Sequence, residues 1–448
     1  DDAGNLIGKK GIREDSWQYF LIDGLGNSIA EFTPEGDISV KVLRNGKPVY
    51  ASMRMHGKNN TKTTGVFSEY DFAGRLIKNT PVDDNGELVK ERSQTFIYNN
   101  IGQKIRTDSE QLTTTTFTYN SLGKILTEEI RPASTEFGEK PQNTEYEYRA
   151  DGQVSCKRFK NQALALRGEK SDAKPELVDA PQESKWFYDE LGRIEKTIQP
   201  DGLITSKIYN KSSLPSDIKW AHISEPDKVL RHLELKYTNC GEVSSILDGI
   251  SGKILREYTY DKLGRCVVAV DHSNIQPVRL ERDFDSLGNM SSEKIEYNGL
   301  PLPYSSFKYN LPKGEFSAEW MNFIKPSDRT WGLEIRHYDR ASRLTGISLD
   351  GKPFANWNYL GNLCEKREIE ESRISSQTTY NALLEPVKTE LRDVYSSTQI
   401  IGCFSYDYGL QGQPIFSAVK LGEDYSFSSF SQFDSFRRVV GQNGEAVN

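Results

Sequence analysis

Metal binding and acid–base catalysis would need histidine, cysteine or carboxylate side chains at set spacings, and this sequence offers few. Its five histidines are isolated: His56, His222, His232, His272 and His337. None belongs to an H-x-x-x-H or H-E-x-x-H motif, which places two zinc ligands on one helix face. His222 opens the segment HISE, but the sequence supplies no partner for an acid–base role there. We therefore predict no metal site, no cofactor and no catalytic residue.

The cysteines lead to the same conclusion. Cys156, Cys240, Cys266, Cys364 and Cys403 lie far apart and are odd in number, which fits neither a zinc motif nor a disulfide framework. We interpret them as small buried hydrophobic residues. The sequence also lacks a G-x-S-x-G elbow and a Walker phosphate-binding loop. The chain is predicted not to be an enzyme.

Aspartate and asparagine recur with glycine, and such residues either bind calcium or cap turns. Six segments read aromatic, Asp or Asn, two free positions and Gly; they begin at Tyr70, Tyr98, Tyr119, Tyr188, Tyr260 and Phe284. Chance predicts roughly 0.4 matches in such a chain. Calcium-binding nonapeptide repeats have a period about three times shorter, so turn capping is the better interpretation.

The predicted sites are therefore structural anchors of a repeat. They are Tyr70, Asp71, Gly74, Tyr98, Asn99, Gly102, Tyr119, Asn120, Gly123, Tyr188, Asp189, Gly192, Tyr260, Asp261, Gly264, Phe284, Asp285 and Gly288. Relaxed copies, which keep part of the pattern, begin at Ile22, Tyr148, Tyr209, Tyr237, Tyr309, Tyr338, Tyr359, Tyr380, Tyr406 and Phe433. Repetition at this period is typical of a scaffold.

The repeat predicts β-hairpins. Asp or Asn at the first turn position caps the turn through its side chain, and Gly at the fourth accepts a positive φ. That glycine also permits the β-bulge common in short hairpin loops. Runs such as TTTTFTY (113–119) alternate or are β-branched, as strands are. A second turn class, TPEGD (33–37), RNGKP (44–48), DDNGE (83–87), QPDGL (199–203) and LDGKP (349–353), alternates with the first.

Composition supports a sheet and excludes several classes of partner. Hydrophobic residues are 36% and aromatic residues 11% of the chain, so apolar surface is concentrated in rings that can keep a polar tip near water. The net charge is -7 and no basic stripe exists, which disfavours nucleic acid. No apolar stretch approaches the roughly 18 residues of a membrane span.

Three segments depart from the repeat. Residues 160–184 are polar and rich in Lys, Glu, Ala and Pro, and we predict an exposed insertion there. Residues 212–232 and 312–332 carry tryptophans and prolines. We predict that these two segments are loop insertions that pack their own aromatic rings.

Units such as YDELGRIEKTIQPDG (188–202) resemble the YD repeats of Rhs-type proteins over essentially residues 1–448. This family includes bacterial polymorphic toxins, insecticidal toxin complex B and C components, wall-associated proteins and teneurins. The resemblance implies an all-β array of YD-repeat hairpins whose sheet spirals into a barrel-like or open curved shell, part of an Rhs cocoon. In toxin members the shell encloses a C-terminal toxic domain.

The expected function follows from that resemblance. Both ends fall within a repeat, so we expect one continuous array, 1–448, cut from a longer chain. We expect a shell segment of an exported bacterial protein, secreted or at the cell surface, that encloses or presents a C-terminal toxin or effector domain of its parent chain. The alternative is a surface adhesion or carbohydrate-binding module whose partner is a cell-surface protein or glycan.

Overall fold

The computed structural model describes residues 1–11, 15–58, 60–135, 140–160, 182–297, 300–301, 305–310, 315–325, 328–370, 373–395, 400–409, 412–422, 425–433, 435, 437 and 439–447. The described part consists of β-strands joined by turns, as the repeat predicts, with one short 3₁₀ turn at Lys90–Arg92. Within it, no helix is long and apolar enough to span a membrane. The predicted insertion at 160–184 lies mostly outside the described residues.

The first eighteen strands are β1 (Gly8–Lys10), β2 (Trp17–Ile22), β3 (Ser28–Phe32), β4 (Ile38–Arg44), β5 (Lys47–His56), β6 (Thr61–Tyr70), β7 (Leu76–Val82), β8 (Gln94–Tyr98), β9 (Lys104–Ser109), β10 (Thr113–Tyr119), β11 (Ile125–Pro132), β12 (Gln142–Tyr148), β13 (Val154–Lys160), β14 (Gln182–Tyr188), β15 (Ile194–Ile198), β16 (Leu203–Tyr209), β17 (Pro215–His222) and β18 (Arg231–Tyr237).

The remaining strands are β19 (Val243–Asp248), β20 (Ile254–Tyr260), β21 (Cys266–Asp271), β22 (Val278–Phe284), β23 (Met290–Tyr297), β24 (Leu300–Pro301), β25 (Ser305–Asn310), β26 (Glu315–Lys325), β27 (Asp328–Tyr338), β28 (Leu344–Leu349), β29 (Lys352–Leu360), β30 (Leu363–Ile369), β31 (Ile374–Tyr380), β32 (Pro386–Asp393), β33 (Ile400–Tyr408), β34 (Pro414–Leu421), β35 (Tyr425–Phe433) and β36 (Val439–Val447).

The strands form one antiparallel meander. Each pairs with the next along the chain, as β6 does with β7 and β14 with β15; the one exception is the two-residue β24, which lies beside β23, so that β23 also pairs with β25. Consecutive antiparallel pairing needs only short connections, which is what a turn every dozen residues supplies. The predicted all-β hairpin array is confirmed.

Successive turns alternate between the two ends of the strands. The turns that follow the aromatic anchors all lie at one end, and we call them anchor turns and their edge the anchor rim. The other connections, such as 33–37 and 83–87, are return turns and form the return rim. The turn at 44–47 joins β4 to β5 and so lies on the anchor rim. Grouping RNGKP with the second turn class was wrong.

The sheet curls until it meets itself. Hydrogen bonds join residues 301 to 319 positions apart, and their order is the same along both partners. Glu35 meets Arg340, Asn60 meets Glu365, and Ser134 meets Ser435. In each pair the first residue lies on the return rim and the second on the anchor rim. We call residues 338–435 the second winding and the residues before them the first winding; the second is seated on the first.

Part of the small buried core lies where the windings meet. Leu360, at the end of β29, is 0% exposed, and Met55 in β5 is 4% exposed. Two glycines allow this approach: a Cβ added to Gly361 would lie 2.5 Å from Met55 Cγ, and one added to Gly57 would lie 3.3 Å from Leu360 Cδ1. The largest fully buried side chain among the described residues, Leu360, is thus buried where the two windings meet.

The two predicted loop insertions are wrong. Within 212–232, Pro215–His222 forms strand β17 and Arg231 begins β18. Pro215 is the first residue of its strand, where the missing N–H is tolerated. Within 312–332, strands β26 and β27 form a long hairpin. Tryptophan and proline content misled the prediction because aromatic residues suit strands as well as packed loops.

Candidate functional site: the anchor rim

In the six full copies, the Asp or Asn that follows the anchor aromatic residue holds its own hairpin. Asp71 Oδ1 accepts hydrogen bonds from the backbone N–H groups of Ala73 (3.0 Å) and Arg75 (2.9 Å). The turn closes through Gly74 N–H, which donates to Asp71 O at 2.9 Å. The N–H of Arg75 is the largest cause that lowers the pKa of Asp71. The side chain therefore acts as a turn cap, as the sequence predicts.

The glycine of each anchor turn provides the left-handed residue. In the six full copies its φ lies between +74° and +90°. The pairing register shifts between the anchor aromatic and the residue before it, for example between Glu69 and Tyr70. This is the bulge that a left-handed glycine permits. The predicted turn geometry is confirmed at Gly74, Gly102, Gly123, Gly192, Gly264 and Gly288.

The anchor tyrosines tie neighbouring hairpins together. The hydroxyl of Tyr98 donates to Leu76 O at 2.8 Å, and Leu76 lies two residues after the glycine of the preceding anchor turn. Eleven tyrosines make such a bond, at 2.5–3.1 Å: Tyr70, Tyr98, Tyr119, Tyr148, Tyr188, Tyr209, Tyr237, Tyr260, Tyr359, Tyr380 and Tyr408. The bonds form a ladder along the anchor rim.

Tyr408, not Tyr406, is the anchor of its unit. Tyr408 makes the ladder bond to Pro386 O, and the register shift lies between Asp407 and Tyr408. The repeat pattern predicted Tyr406 as the anchor because Asp407 follows it. The structure instead uses the glycine four residues after Tyr408, Gly412, whose φ is +81°. Positive φ thus decides the register more strongly than the acidic residue does.

An arginine after the turn glycine was missed by sequence reasoning. Arg193 Nε donates to Asp189 Oδ2 at 2.7 Å, and its guanidinium lies 4.5 Å from the ring centroid of Tyr209, the next anchor. Arg75, Arg265 and Arg343 repeat the arrangement over Tyr98, Phe284 and Tyr359. The recurring sequence G-R or S-R after the turn was the available signal. Each such arginine stabilises both its own turn and the adjacent unit.

The eighteen predicted anchors thus lie along one rim rather than converging on a pocket. Phe284 keeps the ring position but has no hydroxyl for the ladder. Its ring receives Arg265 at 4.6 Å, so the stacking is retained. The anchors therefore link neighbouring hairpins along the rim. Among the described residues, no pair of anchors forms an acid–base or nucleophile arrangement.

Polar contacts join the anchor rim of the second winding to the return rim of the first. Arg340 N–H donates to Glu35 Oε1 at 2.8 Å. Lys62 Nζ donates to Asn381 O at 3.1 Å. Arg92 and Glu385 form an ion pair of 2.8 Å in which both side chains are less than one-fifth exposed. These contacts add charge specificity to the apolar contact at Leu360.

One cluster of possible metal ligands escaped the sequence analysis. Asp217, His232 and Glu234 place ligand atoms within 4.8 Å of one another. His232 and Glu234 share a face of β18, because residues two apart in a strand point the same way. His232 Nε2 lies 3.2 Å from Asp217 Oδ1, and Ser216 Oγ donates to Asp217 Oδ2 at 2.8 Å. A cross-strand hydrogen bond accounts for this geometry without an ion.

Comparisons with known proteins give weak structural similarities. No protein-family model matches the chain, and no curated protein does. The crystal structure of TcdB2-TccC3-Cdc42 has a TM-score of 0.41 and 12% identity over 96% of this chain and 27% of that one. The Photorhabdus luminescens Tc holotoxin pore has a TM-score of 0.37 and 12% identity over 94% and 26%.

A porin-like protein from Bacteroides uniformis covers 67% of this chain and 93% of its own at a TM-score of 0.17 and 10% identity. The chain spans about a quarter of the Tc chains it is similar to. All these TM-scores lie below 0.5, so these similarities do not indicate a function for the chain. The chain is an all-β repeat array that is weakly similar in structure to Tc toxin components.

Proposed function

We propose that the chain is a structural wall segment of a large exported bacterial Rhs-repeat protein. The wall encloses or presents a C-terminal toxin or effector domain of the same parent protein. It acts without catalysis or a cofactor, and its partner is the enclosed domain. The proposal combines the resemblance of the repeats to YD repeats with the geometry of the sheet.

The observation that carries the proposal is the contact between the windings. The meander curls back, and the anchor rim of the second winding packs against the return rim of the first. The wall therefore continues from one winding to the next. Within the described residues, every strand except β1, β36 and the two-residue β24 has a partner strand on both edges. A wall with few free edges resists edge-to-edge aggregation and separates one side from the other.

The construction of the wall fits a container better than a binding site. The chemistry that recurs from unit to unit serves the turns and the links between neighbouring hairpins. A container needs mechanical continuity over a large area, and repeated local joints supply it. The hydroxyls of the eleven ladder tyrosines bond to backbone carbonyl groups, so they hold neighbouring hairpins together.

Protease protection of the enclosed domain in the full parent protein tests this proposal. We expect the C-terminal domain within the parent to be cleaved far more slowly than the same domain expressed alone. A parent carrying Leu360→Asp, which places a charge at the winding contact, should lose part of the protection. Equal cleavage rates for the enclosed and the free domain would contradict the container role.

A further inference from the structure

Two carboxylates face each other across strands β17 and β18, within the wall. Asp217 lies directly opposite Glu234 in the pairing register, so both side chains are on one face of the sheet, where like charges at opposite positions are destabilising. Their next neighbours in the same row are Ile208 in β16 and Leu247 in β19, which carry no charge. A cation held between the two carboxylates would remove this repulsion.

His232 completes a set of three possible metal ligands with these carboxylates, whose ligand atoms lie within 4.8 Å of one another. The 3.2 Å hydrogen bond between His232 Nε2 and Asp217 Oδ1 involves only two of the three residues. Within the described ranges, the side chain of Glu234 has neither a hydrogen bond nor an ion pair, and Lys219 and Lys236 on the same face form no ion pair with either carboxylate. The carboxylate of Glu234 therefore remains available to a further partner.

A glycine on the neighbouring strand fixes the position of the histidine ring. The N–H of Gly249 donates to His232 O at 2.9 Å, and the imidazole ring lies over Gly249, where a Cβ would overlap its Nδ1 and Cγ atoms. The side chain of His232 is only 12% exposed in this position. Because position 249 has no side chain, the ring can lie flat on the sheet with Nε2 directed toward Asp217.

We propose that Asp217, His232 and Glu234 bind one zinc ion, which links β17 to β18. An imidazole nitrogen with two carboxylate oxygens suits zinc, whereas magnesium and calcium prefer oxygen ligands alone. Ligand atoms of a tetrahedral zinc ion lie about 3.3 Å apart, so the three side chains need to close by about 1.5 Å at most, and water takes the fourth position. The ion is a structural link between two strands, and its binding is independent of the container role.

Calorimetric titration of the chelator-treated protein with zinc chloride tests the proposal. We expect one saturable site in the wild type, weakened by about tenfold or more in His232→Gln and in Glu234→Gln. Glu234→Gln also removes the like-charge pair, so without zinc it should be at least as stable as the wild type. The matched control is His272→Gln, because His272 Nε2 lies 3.1 Å from one carboxylate, that of Glu257, in an exposed pair; it should bind zinc as the wild type does.

Two further measurements separate this site from zinc bound elsewhere on the chain. Gly249→Ala keeps all three ligands but displaces the ring of His232, and it should weaken zinc binding by about tenfold. Because zinc bound to the folded protein stabilises it by mass action, excess zinc should raise the melting temperature of the wild type and of His272→Gln, but not that of Glu234→Gln. A wild type without saturable zinc binding, or equal binding by the wild type, His232→Gln and Glu234→Gln, overturns the proposal.

Discussion

Truncation of Leu360 should loosen two segments that lie far apart in the sequence. Leu360 is 0% exposed and lies where β29 of the second winding meets β5 of the first. Replacing a fully buried leucine by alanine costs 2–5 kcal/mol in general, through lost transfer free energy and the residual cavity. We expect about 3 kcal/mol for Leu360→Ala, which is about a hundredfold in the local opening equilibrium.

Hydrogen exchange measured by mass spectrometry locates that loss. Peptides covering 50–58 and 355–366 should both exchange faster in Leu360→Ala, while peptides around 254–271 should not change. Leu191→Ala is the matched control, because Leu191 is 74% exposed and a surface truncation costs within about 0.5 kcal/mol. Faster exchange confined to 355–366, with 50–58 unaffected, would refute the contact between windings.

Three further predictions concern the anchor rim. Tyr188→Phe should lower the free energy of unfolding in urea by about 1 kcal/mol, because Val154 O loses its 2.7 Å hydrogen bond, whereas Phe284→Tyr adds a hydroxyl and should be neutral or stabilising; equal losses would argue against the ladder. Gly192→Val should lower the melting temperature, because a β-branched residue resists the φ of +76° found there, and an unchanged melting temperature would contradict the turn assignment. Burial raises the pKa of Tyr188 and Tyr119, so the folded protein binds the phenolic protons more tightly than the unfolded chain, whose tyrosines titrate near about 10. The stability these protons provide is complete below that value and is lost as pH rises through the higher folded pKa, which a pH series of urea midpoints would reveal as a fall on the alkaline side; midpoints that do not fall there would contradict the burial of these hydroxyls.

The turns and strands could be predicted because each is specified by a short segment of the sequence. Asp71 and Gly74 specify a turn through side-chain capping and positive φ, and neither depends on distant residues. The alternation of strands and turns then fixes an antiparallel meander. The error at Tyr406 shows the limit of this reasoning. Two aromatic residues lay two positions apart, and only the left-handed glycine distinguished them.

The winding contacts could not be predicted from the sequence. Glu35 and Arg340 are 305 positions apart, and neither lies in a pattern that identifies the other. The curvature that brings them together accumulates over many strand pairs, each with a small twist. Arg193 was missed for a different reason: its partner Tyr209 belongs to the next unit, so the contact appears only once the units are placed side by side.

Photo-cross-linking from position 60 tests most directly whether the sheet winds back on itself. Asn60 lies on the return rim of the first winding, and its Nδ2 donates to Glu365 Oε1 at 2.7 Å. With a benzophenone amino acid in place of Asn60, we predict a cross-linked peptide from residues 355–366 in the monomer fraction. Cross-links restricted to sequence neighbours of residue 60 would contradict the wound wall.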